Sequence, residues 1–513
     1  MTSVDPLHSS VFGEVIGGDE GTSPRPPPCA IVIFGATGDL TGRKLAPALY
    51  NLMVDDLLPE PVVIIGVARE PMTDKTFADR MLRRVSEHSR RDIEPQLWER
   101  FAAKLDYIAG DFAQDATYEA LRVQLAAADA RGTGGHRLFY FATPPAVFPM
   151  IIEHLAKHGL IERRTDPSGP ACRVIVEKPF GRDLDSAREL NDLIARYLDE
   201  SQIFRIDHYL GKETVQNILV LRFGNSIFEP LWNRNHIDHV EITAAETIGI
   251  EGRGAFYEAT GVVRDVIQNH LLQVLALIAM EVPASFAPDD IRDEKIQVLR
   301  SIRRLQPADV EANAVRGQYR GYRQEPGVAA DSTTPTYAAL RVMIDDWRWQ
   351  GVPFFLRAGK ALAERVTEVQ IHFKSVPLVL FKHEAAGEVL QPAVLTLRIQ
   401  PEEGISLRFV AKVPGDRIAI GNVVMTMTYA DAFKRPIAEA YERLLLDCMR
   451  GDATLYTRRD SVDRAWQLMD PILHAWDGAP GVCEYEPGSA GPVVADELIA
   501  RDRDTWRPLG TAR

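Results

Sequence analysis

Arg205-Ile206-Asp207-His208-Tyr209-Leu210-Gly211-Lys212-Glu213 sets two cations, two anions, a histidine and a phenol within nine residues. Each polar group would need a partner if buried, so an ordinary core strand or helix would not tolerate this density. A solvated loop, in turn, has no use for Ile206, Tyr209 and Leu210. The mixture suits the floor of a pocket for a small, anionic, hydroxyl-rich ligand. His208, Tyr209 and Lys212 are donors for a phosphate, and Gly211 can open a helix whose first amides also face an anion.

A second stretch, Gly261 to Gln273, carries Asp265 and His270 on an otherwise largely apolar helix. Taken alone, a histidine there is more often a core residue bonded to a carbonyl than a base. Asp265 lies five positions earlier, about 140° around an ideal helix. The two share a pocket only if it is broad or if Asp265 sits at an irregular helix start. Two further cation sites end strands. Val174-Ile175-Val176-Glu177-Lys178-Pro179 closes in a Lys-Pro turn, where a cis bond would fix Lys178 at the carboxyl edge of a sheet. Gly359 interrupts Phe354-Phe355-Leu356-Arg357-Ala358 and frees Lys360 and Arg365 to reach inward, though by themselves they read as loop charges.

A nucleotide end is also legible. An apolar strand runs into Gly35-Ala36-Thr37-Gly38-Asp39-Leu40-Thr41-Gly42-Arg43-Lys44. Glycines there allow a tight turn and close approach of amides to a pyrophosphate, which the positive end of the next helix favours. The spacing departs from GxGxxG, so the motif is weak alone and gains force from its place on the first strand. The second strand ends at Arg69, suited to a 2′-phosphate and therefore to NADP. Glu70 follows at once and leaves room for partial use of NAD.

These groups need a scaffold. Short β-branched runs at 31–34, 62–67, 105–109, 138–142 and 174–176 alternate with helical patterns, one of them at 183–198. Such alternation predicts a parallel, doubly wound Rossmann-like sheet. Beyond residue 205 the pattern turns to period two at 369–373, 395–399, 405–409 and 425–429, with Pro401 to Gly404 as a turn, which predicts a large, mainly antiparallel sheet flanked by helices. The class is α/β plus α+β: a disordered tail at 1–28, a dinucleotide-binding domain at 29–205 and a substrate-binding, catalytic and oligomerisation domain at 206–513. The pocket motif then sits at the junction, where ligand clefts gather. A formal charge of −13 disfavours a broad nucleic-acid footprint. Four separated cysteines offer neither a disulfide framework nor a zinc site. No apolar run approaches the length of a membrane span, and the N-terminus lacks a secretory pattern, so the expected location is cytoplasmic.

In order and wording these pieces resemble the glucose-6-phosphate dehydrogenase family, in its bacterial, NADP-dependent form. The motifs are GATGDL at 35–40, EKPFG at 177–181, RIDHYLGKE at 205–213, EGRG at 251–254, RDVIQNHLLQ at 264–273, RAGKAL at 357–362 and AYERLLLD at 440–447. The likeness runs from about residue 30 to 470. It implies that His270 is the base for the C1 hydroxyl of glucose 6-phosphate and that Asp207 orients it. It also implies that Lys178, His208, Tyr209, Lys212, Lys360 and Arg365 hold phosphate and nearby oxygens, and that Glu246 and Asp265 accept from sugar hydroxyls. Gly35 to Leu40, Arg69, Asp111-Phe112 and Lys178 would line the cofactor. The nicotinamide carries the redox chemistry, so no metal is expected, and the family's dimers and tetramers imply a homo-oligomer. A second, structural NADP site is not expected, because Val366 beside Arg365 leaves no clear basic set.

Overall fold

The computed structural model describes residues 25–164, 169–376, 391–416, 418–434, 437–477, 479 and 481–510. Most of the expected tail lies outside these residues; regular structure starts at Cys29, as the sequence predicts.

The β-branched runs become the strands β1 (Cys29–Phe34), β2 (Val62–Ala68), β3 (Leu105–Ala109), β4 (Arg137–Phe141), β5 (Cys172–Val176) and β6 (Ile203–Ile206). Nearly all their residues are buried, which is what a sheet covered by helices on both faces requires. The spatial order β3-β2-β1-β4-β5-β6 is fully parallel. Strand order reverses between β1 and β4, and ligands of open α/β sheets bind in the crevice at the carboxyl ends there. The glycine turn follows β1 directly.

The second half builds a nine-stranded sheet from β7 (Ile237–Ala245), β8 (Ala314–Tyr319), β9 (Tyr337–Met343), β10 (Pro353–Gly359), β11 (Val366–Phe373), β12 (Val394–Gln400), β13 (Gly404–Val413) and β14 (Ala419–Thr428), with a late strand at its far edge. The order is β14-β13-β12-β11-β7-β10-β9-β8 and then Cys483–Tyr485. Pairing is antiparallel except for β7 with β10 and for the Cys483–Tyr485 edge strand with β8. Across β7 and β10 lies the apolar helical stretch Gly254–Ala279, of which 83% of the most apolar window is buried. By length and composition this stretch is long and apolar enough to cross a membrane, contrary to the sequence expectation, but its burial against the sheet marks it as a core helix.

The division at residue 205 does not separate two cores. The two-residue strand β15 (Tyr456–Thr457) returns from the second half to pair antiparallel with β6, and β16 (Cys483–Tyr485) closes the other sheet. One apolar cluster runs from Leu49 and Ile64 through Phe204 and Ile242 to Leu445 and Leu468. The second half therefore supplies both a strand and a helical face to the nucleotide-binding half.

Candidate active site

β6 delivers Asp207 at its carboxyl end, next to the glycine turn's side of the parallel sheet. The helix that follows starts at Glu213 with Lys212 as its N-cap, two residues later than a glycine start would place it. Gly211 has a different reason: a Cβ there would lie 2.7 Å from the Ala440 carbonyl oxygen and 2.9 Å from Leu444 Cγ. The residue lets helix Ala440–Arg450 pack onto the motif.

The partner helix resolves the angular problem of Asp265 and His270. The long helical stretch breaks at Gly261 (φ 60°, ψ 172°), a conformation that costs any other residue about 1–3 kcal/mol. Val263–Leu271 then winds as a π-helix, with i→i+5 bonding. Five positions is about one turn of such a helix, so Asp265 and His270 share a face.

His270 Nδ1 and Asp207 Oδ1 stand 2.5 Å apart, with both side chains 2% exposed. The Tyr209 amide also donates to Asp207 Oδ1, at 3.0 Å. The Tyr209 ring stacks on His270 at 4.2 Å and 13°, while His208 meets it edge-on at 4.5 Å. With Nδ1 tied to a carboxylate and the ring clamped, Nε2 is left to take a proton. Burial pushes the His270 pKa below its ordinary value, with Asp207 opposing and Lys178 adding to the fall. Burial likewise drives His208 far down, so it acts as a neutral hydrogen-bonding group. Asp207 ends at about 2, because the attraction of His270 and His208 outweighs its desolvation.

Three of the expected lysines each have an internal partner. Lys178, on the cis Lys178–Pro179 turn, donates to the Asp265 carbonyl at 2.7 Å and its carboxylate at 3.0 Å. Lys360 pairs with Glu246 at 2.6 Å. Lys212 donates to the Gln400 side chain and sits over the Tyr209 ring. Asp265 falls to about 2: burial opposes ionisation, and Lys178 and Lys360 more than offset it. Arg365 is exposed but close enough to lower the pKa of Lys212, behind burial and opposed by Glu403.

At the nucleotide end, Gly35 has φ 87° and a Cβ there would strike the Ala142 carbonyl oxygen at 2.4 Å. The amides of Gly35 and Ala36 are tied to the Val67 carbonyl and that of Gly38 to the Gly35 carbonyl, with Thr37, Asp39 and Leu40 completing the turn. Asp39 pairs with Arg43 at the surface. Asp111 caps its own loop through the Ala113 amide, and Phe112 packs edge-on against Phe34. Arg69 is exposed and has no hydrogen-bond or ion-pair partner among the described residues, a fit for a 2′-phosphate. Glu70 is not free: Arg80 pairs with it and donates at 2.7 Å to the Thr37 carbonyl.

Several of these neighbours carry no sequence signal. Arg80 comes from the middle of helix Asp74–His88, and nothing in its spacing shows that it faces the turn. Thr367 and Gln400 reach Tyr209 and Lys212 only because β11 and β12 pair. Glu177, next to Lys178, is half-buried, accepts from Tyr140 (2.5 Å) and Tyr441 (3.2 Å), and anchors that turn.

Comparison with known proteins gives a consistent picture. The family described as "Glucose-6-phosphate dehydrogenase, NAD binding domain" matches residues 32–217, and "Glucose-6-phosphate dehydrogenase, C-terminal domain" matches 219–507. The glucose-6-phosphate 1-dehydrogenase of Chlamydia pneumoniae is 46% identical, covering 98% of this chain and 100% of its own. That of Aggregatibacter actinomycetemcomitans is 47% identical over 93% of this chain and 97% of its own. The crystal structure of glucose-6-phosphate 1-dehydrogenase from Mycobacterium avium superposes with a TM-score of 0.81 at 40% identity, over 94% of this chain and 98% of that one. A glucose-6-phosphate dehydrogenase in complex with glucose 6-phosphate gives 0.85 at 34% identity, over 94% and 99%. With both halves matched end to end and the dyad seated where they meet, the chain belongs to the glucose-6-phosphate dehydrogenase family.

Proposed function

We propose that this chain oxidises D-glucose 6-phosphate at C1 to 6-phospho-D-glucono-1,5-lactone with NADP⁺ as hydride acceptor, the first step of the oxidative pentose phosphate pathway. The observation that carries this reading is the buried His270–Asp207 dyad, set among phosphate donors beside a dinucleotide turn. His270 Nε2 takes the C1 hydroxyl proton as the C–H bond breaks, and Asp207 holds the tautomer and stabilises the imidazolium. The nicotinamide, when bound, supplies the acceptor for the hydride. Lys178, His208, Tyr209, Lys212, Lys360 and Arg365 hold the 6-phosphate and adjoining oxygens. Glu246 and Asp265 orient the ring hydroxyls. Fixing the two reactants face to face is worth on the order of 7–11 kcal/mol, more than the base alone.

NADP⁺ is the preferred cofactor on this reading, because Arg69 has no ion-pair partner among the described residues while Glu70 is paired with Arg80. The hydride step calls on no metal. Self-association is proposed through the β14 edge of the large sheet, where Val424 is 58% and Met425 61% exposed.

The test is turnover of glucose 6-phosphate, glucose, fructose 6-phosphate and galactose 6-phosphate, each with NADP⁺ and NAD⁺. Strong preference for glucose 6-phosphate with NADP⁺ supports the reading. Comparable rates with unphosphorylated glucose would contradict the role given to the basic cluster.

A further inference from the structure

On the large sheet, far from the dyad, three side chains point to one spot. His239 and Glu241 alternate on one face of β7, and His372 lies directly across from His239 on β11. Their donor atoms lie within 4.8 Å of one another. His372 Nε2 stands 3.1 Å and His239 Nε2 3.9 Å from Glu241 Oε1. His372 and Glu241 meet as an ion pair, but none of the three atoms makes a well-aligned hydrogen bond, although His239 is 5% and Glu241 1% exposed. Imperfect satisfaction of polar atoms in a buried site is costly.

The surrounding contacts orient these atoms toward a common occupant. His239 Nδ1 is bonded to Asp238 at 3.0 Å and lies 3.4 Å from Asp504, which turns Nε2 toward Glu241. The Arg507 amide donates to Glu241 Oε2 at 3.2 Å, leaving Oε1 for the shared point. Carboxylates behind ligating histidines and a backbone donor behind a ligating carboxylate are the usual supports of a metal centre. Donor atoms around a tetrahedral zinc stand about 3.3 Å apart, within reach of this arrangement by small side-chain rotations. Two imidazoles and one carboxylate suit a borderline divalent ion and leave one position open. The His239 and His372 rings line a groove of about 1250 Å³, so an entry path exists.

We propose that His239, Glu241 and His372 form a binding site for a divalent transition ion of the Zn²⁺ type. The sequence expectation of no metal concerned the hydride step, and this site lies outside that step. The site is not catalytic: Glu246 lies five residues beyond Glu241, ~16 Å along the strand. Asp504 and Arg507 belong to the segment after helix Val494–Ala500, so the ion fastens the end of the chain to the central strands. A second histidine–carboxylate set, Asp115 with His154 and His158, is more exposed, and its ligand atoms are already bonded to one another and to Lys157. It enters the test as a control.

The full chain, stripped with chelator and dialysed, is titrated with Co²⁺ and then with Zn²⁺, in a His154→Asn/His158→Asn background. One Co²⁺ per chain with visible absorption, displaced by Zn²⁺, is expected. His372→Gln should abolish it while dehydrogenase turnover and circular dichroism stay unchanged. Asp504→Asn should weaken binding roughly 10–100-fold. Absence of a stoichiometric site, or binding unaltered by both substitutions, would overturn the proposal; the three donors would then be held by ion pairs with Glu241, Asp238 and Asp504.

Discussion

The base proposed at His270 can act only while unprotonated, so its environment would set the acid limit of activity. Burial lowers its pKa and Asp207 partly restores it. The logarithm of kcat/KM should therefore be level above that pKa and fall by about one per pH unit below it, with the break under the ordinary histidine value near 6.5. Asp207→Asn removes the charge that favours the imidazolium. Its break should move to still lower pH while its plateau drops, and a break moved upward in the measured profile would argue against the dyad. At the cofactor end, Arg80→Ala should free Glu70 to repel a 2′-phosphate. The KM for NADP⁺ should rise roughly 10–100-fold, the range of one charged hydrogen bond, with a smaller change for NAD⁺. Adding Glu70→Ala should recover much of the loss. Steady-state kinetics of the two variants with both cofactors checks this.

Elements, more than single residues, were legible in the sequence. The β-branched runs of β1 to β5 fall where their composition places them, because a strand covered on both faces has little other choice. Period two marks β11 and β12, whose apolar residues meet the core, and also β13 and β14, whose apolar residues are half-buried or exposed. What was not legible depends on pairing and winding. The parallel contact of β7 with β10 and the return of β15 to β6 are long-range choices with no local pattern. The π-turn at Val263–Leu271 is equally silent, and an ideal α-helix would wrongly separate Asp265 from His270. Its start depends on Gly261, where a Cβ would also lie 3.3 Å from Thr334 Cγ2. Gly261→Ala should destabilise the chain by about 1–3 kcal/mol in urea unfolding and should lower kcat, because the turn that sets Asp265 and His270 on one face shifts.

At the scale of the whole molecule, the shared core makes the two halves interdependent. Phe204 on β6 packs edge-on against Tyr456 on β15 at 4.8 Å, and the buried Trp466 indole donates to the Phe180 carbonyl. A fragment ending at residue 205 would expose these surfaces. It should show non-cooperative thermal unfolding by circular dichroism, where the full chain shows a coincident loss of both halves. The apolar β14 edge makes the second expectation: Val424→Lys/Met425→Lys should lower the mass measured by light scattering to that of a single chain, while a wild type already monomeric would remove this surface from the account.

The most direct test of the acid–base assignment is His270→Asn, compared with wild type for glucose 6-phosphate oxidation by NADP⁺, with sugar-phosphate binding measured by calorimetry in parallel. A fall of about 10²–10⁴ in kcat with near-normal binding is expected for loss of a general base. A variant that turns over within a few-fold of wild type would show that the proton leaves C1 by another route.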